Sequence, residues 1–503
     1  MTKKEIWDNI SIHHSRLLSQ LDRDVNSPTF GSFDRNFWNY KIRDFSSSIL
    51  QQGVIYLDIL FSFEHGSNSF YKNKILKTWI RGSIDFWCKS QLKNGSFNEY
   101  YPNESGFPPT AFSLYAISNI IKKYPEFVSD NVVFCINKAI KWLLKTPEND
   151  AMNQESAALA GIIIASKIKG VLFDENKLDE RLSCFYKSQS PEGWFNEYGG
   201  ADLGYLSVTI DSLWDMYSVS KDNRALAALE KATNFIYNFI SISEHTPIMI
   251  NSRNTDYLVP YGLSGFASIN KKAKEVSYLI IKSITKFDSV YHKTDDRYLT
   301  HYIGQSYMRS LMNFENFSSI KTLSFNLKKL DLFYTDCGVF IKHIPNNKSI
   351  YVAAKKGGVI NVYTRKKLSF VDYGWCYLEY NNEVSTTHWQ NQNYKILYRD
   401  NKLTIEGNFT TQKFIRPSTL GHVFLRLFSL FMGNELIPYL KNRIIFSNKV
   451  SKAYFNRRLI IINDKIKIDD SFKNINKEKL IKAQKYSMRH VSSANRFSFE
   501  EII

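Results

Sequence analysis

The stretch "GWFNEYGGADLGY", Gly193 to Tyr205, repeats the pattern of "GSFNEYYPNES", Gly95 to Ser105, 98 positions upstream (193 − 95). Glycine permits a tight turn after a helix, so the shared G-x-F-N-E-Y pattern predicts a turn followed by a phenylalanine wedged between helices. The Asn-Glu pair of each copy can cap the next helix or face a cleft. The repeat therefore predicts the same turn and wedged phenylalanine at two places in a helical region.

Residues 1–325 have apolar residues at helical spacing, separated by turn signals such as "FPPT" and "SPEG". Four helices are predicted between the two copies of the pattern, near 109–123, 128–146, 151–168 and 175–188. Helical hairpins in a row form either an open solenoid or a closed ring. Since no strict repeat runs throughout, we expect a closed α/α toroid with loops around a cleft at one end.

In residues 326–503, apolar and polar residues alternate with period two, and β-branched and aromatic residues are common. This pattern predicts an antiparallel β-sandwich. The tetrapeptides "RDNK" (399–402) and "INDK" (462–465) are typical of hairpin turns, and "SMRHVSSANRFSFE" (487–500) is typical of a strand. A helical insertion is expected near 419–441. It is too interrupted by polar residues to span a bilayer, and it is either an interfacial helix or, the favoured interpretation, a buried core helix.

The charge of the 503-residue chain is +18, and it is uneven. From residue 331 onward there are 28 Lys and Arg against 14 Asp and Glu, a net charge of +14, which leaves +4 for residues 1–330. A basic half suggests an anionic partner such as an acidic polysaccharide, nucleic acid or lipid headgroups. Nucleic acid is not expected, because the basic residues are spread over strands and no recognised module occurs.

The five cysteines are scattered, and no C-x-x-C pair occurs. This argues against a disulfide framework and a structural zinc site, and it fits a reducing compartment. The N-terminus lacks the apolar run of a signal peptide, so we expect a cytoplasmic protein and leave open a peripheral contact with the inner face of a membrane. No metal site and no cofactor are expected, since P-loop, Rossmann and H-E-x-x-H motifs do not occur.

Three stretches resemble the heparinase II/III family of polysaccharide lyases. In "AMNQESAALAGIIIAS" (151–166), Asn153 matches the Asn of the family's Asn-His helix start, and Gln154 stands in place of the His. In "EGWFNEYGGADLGYLSVTIDSL" (192–213), Glu197 lies near the family's acidic position and Tyr205 near its Tyr. In "DYGWCYLEYNNEVSTTHWQNQ" (372–392), His388 matches the His.

The resemblance implies an α/α toroid followed by a β-sandwich, and cleavage of an acidic, uronate-containing polysaccharide by β-elimination. The family's His-x-His-x-Asp segment has no counterpart, because "NVYTRKKLSFVD" (361–372) contains no His. Tyr205, His388 and Asn153 are the candidate catalytic residues, and Tyr198, Tyr100 and Tyr101 are alternatives for the catalytic tyrosine. Asn153 can alternatively cap its helix, and His388 can be a hydrogen-bonded strand histidine.

The candidate substrate-binding residues lie in the repeated loops, at the helix start and in the polar loop "NSRNTDYLVPYG" (251–262). Arg253 is suited to clamp a substrate carboxylate, with a surface salt bridge as the alternative. Arg297 is expected to be satisfied by the acidic residues next to it in "DDRYLTHY". The set comprises Gln154, Glu197, Arg253, Asn196, Trp194 and Glu99.

Two other functions stay open. A glycoside hydrolase would use paired carboxylates, and Glu99 with Glu197 is the obvious pair because the repeated loops present both. Alternatively, a protein that is not a lyase could take part in the biosynthesis of a surface polysaccharide such as capsule or O-antigen. That role fits the missing histidines and the absence of a signal peptide.

Overall fold

The computed structural model describes residues 1–246, 251–255, 257–287, 289–318, 329–380, 383–411, 418–441, 449–462 and 464–483. Helices occupy the chain up to Ser318, and strands begin at Leu330. The expected helical region followed by an antiparallel sheet region is confirmed. The expected boundary at 325/326, part of the "INDK" turn and the strand expected at 487–500 lie outside the described residues.

The helical region begins with a short N-terminal helix and ends just before the sheets. Its α-helices are, in chain order, α1 (Lys3–Ser11), α2 (His14–Leu18), α3 (Arg35–Trp38), α4 (Gly53–Ser62), α5 (Lys74–Ser90), α6 (Phe107–Lys123), α7 (Asp130–Leu143), α8 (Met152–Ala165), α9 (Glu175–Lys187), α10 (Leu203–Ser220), α11 (Asn223–Asn238), α12 (Tyr261–Phe266), α13 (Lys271–Thr285), α14 (Val290–Lys293), α15 (Asp296–Tyr298), α16 (Gly304–Met312) and α17 (Phe314–Ser318).

The helices α4, α6, α8, α10, α12 and α16 form a closed inner ring. Each packs against the next, and α16 packs against α4. These helices are apolar or small on most faces, and every residue of α8 is buried, as expected for a helix with neighbours all round. The expected closed toroid is therefore observed.

The outer helices α5, α7, α9, α11 and α13 have one buried face and one exposed face. Such one-sided burial follows from apolar residues three and four positions apart. The first of the four helices expected between the repeats is confirmed as α6, and the other three as α7, α8 and α9, with ends shifted by a few residues.

The repeated pattern is a turn followed by a wedge. Gly95 and Gly193 have φ of +99° and +109°, and a Cβ there would lie 2.4 Å and 2.3 Å from a carbonyl oxygen of an outer helix. Only glycine combines this backbone with so close an approach. Phe97 stacks on Trp87 with ring centroids 4.9 Å apart, and Phe195 repeats this contact on an aromatic ring of α9 at 4.7 Å.

A buried ion pair lies inside the ring. Arg309 Nη2 of α16 is 2.8 Å from Asp215 Oδ2 of α10, and both side chains are buried. The hydroxyls of Tyr115 (α6) and Tyr261 (α12) donate to the same carboxylate at 2.5 Å and 2.6 Å. The guanidinium also stacks on Tyr261, 3.4 Å from the ring centroid. Four of the inner helices thus meet at one charge pair.

The strands form two antiparallel sheets. The first has five strands in chain order, and the second has the order β11-β10-β9-β7-β6-β12, with β8 paired to β9. The strands are β1 (Leu330–Tyr334), β2 (Val339–Ile344), β3 (Lys348–Ala353), β4 (Val359–Thr364), β5 (Leu368–Asp372), β6 (Trp375–Leu378), β7 (Val384–Thr386), β8 (Lys395–Arg399), β9 (Lys402–Thr411), β10 (Lys449–Ile462), β11 (Lys465–Lys473) and β12 (Leu480–Lys482).

The strands β2, β3 and β4 of the first sheet are covered on both faces. Their successive side chains point in opposite directions. Phe340 and Ile350 pack into the core shared with the second sheet, whereas Ile341 and Tyr351 belong to the core of the helical ring. The Tyr351 hydroxyl donates to a backbone carbonyl at the end of α11 at 3.1 Å. The sheets are therefore attached firmly to one side of the ring. The expected "RDNK" turn is confirmed between β8 and β9.

The expected insertion consists of α18 (Thr419–Met432) and α19 (Leu436–Lys441). The favoured interpretation of a buried core helix is wrong, since most apolar side chains of α18 are exposed. The helix has 14 residues, so it is about 21 Å long at 1.5 Å per residue. Within the described ranges, no helix has both the length and the apolar character needed to cross a membrane.

Replacing Arg309 by Leu is expected to destabilise the fold by about 3–5 kcal/mol, because Asp215 then remains buried without its cation. The matched control is Arg224→Leu on α11, which removes a more exposed ion pair with Asp179 and should cost less than about 1 kcal/mol. Urea denaturation followed by circular dichroism measures both. Equal losses in the two variants would contradict the role given to the buried pair.

Candidate functional site

The first residues of the inner helices lie together at one end of the ring. Hydrogen bonds join neighbouring helix starts or the loops that lead into them. These bonds run from Ser48 N to Asn98 O, Asn153 N to Glu197 Oε1, Leu203 N to Asn251 Oδ1, Tyr261 N to Ser306 Oγ, and between Gln52 Nε2 and His301 Nδ1. We call this end the ring mouth. Since helix N-termini carry partial positive charge, it favours an anionic ligand.

Glu197, in the second repeat, closes the start of α8. Its carboxylate accepts hydrogen bonds from the backbone N and the side-chain Nδ2 of Asn153, both at 2.7 Å. Burial raises the pKa of Glu197 well above its ordinary value, and the two bonds from Asn153 oppose this. Asn153 is not the cap of α8, whose N-cap is Ala151. Its amide nitrogen instead holds Glu197.

Arg253 lies buried in the loop before α12, with 8% of its surface exposed. Its guanidinium stacks on the ring of Tyr198 at 4.6 Å, and its Nε has no hydrogen-bond partner. Within the described ranges, no carboxylate forms an ion pair with it. The side chain is therefore buried and does not lie at the surface. Beside it, Gln154 Nε2 donates to the Tyr198 hydroxyl at 3.0 Å, and Gln154 Oε1 is buried without a partner.

Tyr205 lies in the first turn of α10 and is half-buried. Asp202, the N-cap of that helix, accepts from Tyr205 N at 3.2 Å and from Arg253 N at 3.0 Å. The Tyr205 ring meets Tyr257 edge-on at 6.4 Å, and the Tyr257 and Tyr302 hydroxyls are 2.5 Å apart. A series of tyrosines therefore extends from the Arg253 side across the mouth.

His388 follows β7 in a loop, so it is not a strand histidine. It is 3% exposed, and its ring lies close to the backbone of Tyr373. Burial and the nearby charge of Lys356 lower its pKa to about 3, so its imidazole is neutral near pH 7. Lys356 Nζ donates to Asn251 O at 2.9 Å and to Asn254 Oδ1. The sheet region thus contacts the same loop that carries Arg253.

The three expected catalytic residues adjoin the same two segments of chain, 197–205 and 251–255. Asn153 bonds to Glu197, Tyr205 lies at the end of the first segment, and His388 lies by Lys356 on the second. The loop after His388 also reaches the first segment, because Gln390 Nε2 donates to Gly199 O at 3.3 Å. Their placement is a structural finding, and their catalytic roles stay predictions.

Glu99, in the first repeat, belongs to a separate network on the other side of the mouth. Its Oε1 pairs with Arg297 Nη2 at 2.5 Å, and burial raises its pKa. The expectation that sequence neighbours satisfy Arg297 is wrong, since Asp296 instead pairs with Arg16. Next to this pair opens a cavity of about 390 Å³, lined by Asp34, Arg35, Asn36, Tyr40, Arg43 and Arg297 among others.

Trp194 and Asn196 form hydrogen bonds that stabilise the structure next to the site. Trp194 Nε1 donates to Glu192 Oε2 at 2.9 Å, and Glu192 in turn accepts two backbone N–H groups of the turn between β1 and β2. Asn196 Oδ1 accepts from Gly199 N at 3.1 Å and so closes the repeated turn. Binding of substrate by these two residues stays a prediction.

Sequence reasoning did not identify Lys356 or Asp202 as parts of the site. Lys356 lies in "KKGG", where the glycine pair indicates only a turn, and its partner Asn254 is 102 positions away. Asp202 is a helix cap whose second role, holding the Arg253 backbone, needs the folded chain. In the described ranges, no group of three or more His, Cys, Asp or Glu side chains could hold a metal ion.

No protein-family model matches the chain. No curated protein matches it either. Among solved structures, the chain is similar to the apo form of a β-1,3-1,4-glucanase from Paenibacillus sp. X4, with a TM-score of 0.35, 10% identity, and coverage of 63% of this chain and 93% of that chain. It is also similar to a protein described as a glycoside hydrolase, with a TM-score of 0.34, 9% identity, and coverage of 83% and 89%.

These likenesses are too distant to assign an activity. The resemblance to the heparinase II/III family therefore stays a hypothesis that rests on the three motifs around Asn153, Tyr205 and His388.

The stability of the protein is expected to depend on His388 in mild acid. Its pKa is about 3 in the fold and 6.5 ordinarily, so the unfolded chain binds a proton first and stability falls as pH drops below 6.5. Between pH 7 and pH 5 this one group accounts for a loss of about 2 kcal/mol. His388→Gln should lose that much less over this range.

The matched control is His422→Gln, which changes an exposed histidine of α18. Urea denaturation at both pH values gives the comparison. The same pH dependence in wild type and His388→Gln would show that His388 is not held neutral in the fold.

Proposed function

We propose that this chain binds an acidic, uronate-containing polysaccharide at the ring mouth and cleaves it by β-elimination. The observation that carries the proposal is Arg253, a buried guanidinium without a carboxylate partner among the described residues. A buried charge is costly unless it is paired, so such a site is best completed by an anionic ligand. A carboxylate suits the planar guanidinium, which can donate two parallel hydrogen bonds.

The surroundings of Arg253 fit a sugar carboxylate. The Tyr198 ring fixes one face of the guanidinium, so the group is held in place before a ligand arrives. Gln154 offers a buried, unpartnered side-chain oxygen next to the Tyr198 hydroxyl. The helix starts at the mouth add partial positive charge, and the exposed ring of Tyr100 offers a surface for stacking on the far side.

β-Elimination needs a group that neutralises the carboxylate, a base and an acid. Arg253 would neutralise the uronate carboxylate, which makes the C5 proton more acidic. Gln154 Oε1 can accept a hydrogen bond from a sugar hydroxyl beside it. A base then removes the C5 proton, the C5–H electron pair forms the C4=C5 double bond, and the C4–O bond breaks. The departing oxygen takes a proton from an acid, and the product carries an unsaturated sugar at its new end.

Tyr205 is the residue proposed to move these protons, with His388 as an orienting group. Tyr205 lies in the first turn of α10, at the positive end of that helix. As phenolate it would take the C5 proton, and as phenol it would return one to the leaving oxygen. His388 is neutral near pH 7, and a pKa of about 3 makes it too weak a base for the C5 proton, so it would orient the substrate by hydrogen bonding. Asn153 would act indirectly, by holding Glu197.

The contacts give less support to hydrolysis by Glu99 and Glu197. A hydrolase needs one protonated carboxyl free to donate and a second carboxylate free to attack or to activate water. Here Glu99 is paired with Arg297, and both oxygens of Glu197 accept bonds from Asn153.

Arg253→Gln is expected to lower kcat/KM on uronate polymers by roughly a hundredfold or more, because the carboxylate loses its cation. The matched control, Arg224→Gln on α11, should keep wild-type activity. The measurement is ultraviolet absorbance of unsaturated product ends over a panel of acidic polysaccharides. Full activity in Arg253→Gln would rule out the carboxylate site.

Tyr205→Phe removes only the hydroxyl and is expected to reduce kcat by roughly a hundredfold to ten-thousandfold, with KM little changed, because proton transfer is lost while binding remains. Tyr186→Phe, on the outer helix α9, is the control and should be fully active. Reducing ends are counted alongside absorbance. New reducing ends without absorbance would indicate hydrolysis, and equal activity of both variants would remove Tyr205 from the mechanism.

A further inference from the structure

Helix α18 presents its apolar side to solvent. Its polar residues His422, Arg426 and Ser429 are spaced four and three apart, which places them on one stripe. Ser429 is buried against the protein and Arg426 pairs with the ring, whereas Phe424 is 56% and Phe431 is 85% exposed. This orientation is the reverse of that of an ordinary surface helix, whose apolar stripe faces the core. The exposed apolar residues of α18 are Leu420, Val423, Phe424, Leu427, Phe428, Leu430, Phe431 and Met432.

Two ion pairs connect the insertion to the ring mouth. Arg426 Nη2 pairs with Asp44 Oδ1 at 2.6 Å, in the loop that leads to α4. Lys441 Nζ, at the end of α19, pairs with Glu148 Oε2 at 2.6 Å and lies 5.8 Å from the ring of Tyr198. The exposed face of α18 therefore has a fixed orientation next to the proposed site.

The loop that holds Arg426 also exposes apolar side chains. Ile42 is 70% exposed and Tyr40 is 55% exposed. We define the exposed apolar residues of α18 as the apolar face. Exposed apolar patches of this kind mark interaction sites in soluble proteins.

The segment that carries α18 is cationic in sequence. Residues 412–449 contain six Lys and Arg against one Glu, a net charge of +5, and among the described residues Arg426 and Lys441 are paired with carboxylates of the ring. An amphipathic helix with phenylalanines and leucines on one side, in a cationic segment, matches the boundary between headgroups and acyl chains of an anionic bilayer.

We propose that α18 docks the protein on the surface of an anionic lipid bilayer, with the helix axis in the membrane plane and the apolar face inserted. At about 21 Å, α18 is shorter than the roughly 30 Å hydrocarbon core, so it lies at the interface and does not span it. The ties to Asp44 and Glu148 then hold the ring mouth beside the membrane. This proposal is independent of the reaction at the mouth.

The test is co-sedimentation of the full chain with vesicles of pure phosphatidylcholine and with vesicles that also contain phosphatidylglycerol. Wild type is expected to sediment with the anionic vesicles, less so in high salt, and weakly with phosphatidylcholine alone. The triple variant Phe424→Ser, Phe428→Ser, Phe431→Ser should lose anionic vesicle binding by roughly a hundredfold, because three apolar side chains no longer enter the bilayer. Its thermal unfolding should match wild type, since these side chains are exposed.

The matched control replaces three exposed apolar residues elsewhere on the ring, Phe134→Ser, Leu172→Ser and Ile269→Ser, and should bind vesicles like wild type. Wild type that stays in solution with both kinds of vesicle overturns the proposal. Analytical ultracentrifugation without lipid is run in parallel. A wild-type dimer that the α18 triple variant makes monomeric, with no vesicle binding, would assign the face to a second copy and also overturn it.

Discussion

The buried ion pair between Arg309 and Asp215 is the interaction on which the helical ring depends. Neither charge can be left alone inside the ring, because an unpaired buried charge is strongly destabilising. Tyr115 and Tyr261 complete the hydrogen bonding, so α6, α10, α12 and α16 must all converge on one point. That requirement favours one register for the inner helices and, with it, the common position of their first residues at the ring mouth.

The charge and polarity of the ring mouth follow from the common position of the helix starts. Helix starts lie side by side there and contribute partial positive charge, and the loops that precede them carry polar side chains, which include the buried carboxyl groups of Glu99, Glu197 and Asp202. Two arginines flank the mouth. Arg297 is paired with Glu99, whereas Arg253 stacks on Tyr198 and forms no ion pair with a carboxylate among the described residues. The sheet region completes the Arg253 side through Lys356. A preformed cationic site of this kind suits an acidic ligand better than a neutral one.

The sequence was sufficient to predict the helical ring, the sandwich, the insertion and the turn-and-wedge role of the repeated pattern, because these follow from periodicity and glycine geometry. The sequence was not sufficient to predict contacts between side chains that lie far apart along the chain. Nothing in the pattern distinguishes an Asn153 that caps its helix from one that holds Glu197, or a free Arg253 from a paired one. The outward side of α18 was missed for the same reason: an apolar helix has the same sequence signature in a core and at an interface.

Arg253 is the residue proposed to receive a sugar carboxylate at the ring mouth. A crystal structure of Tyr205→Phe soaked with uronate oligosaccharides tests it most directly. We expect a uronate carboxylate within hydrogen-bond distance of the Arg253 guanidinium, with C5 facing position 205. A sugar bound with its glycosidic oxygen against Glu99 or Glu197, and with Arg253 untouched, would contradict it.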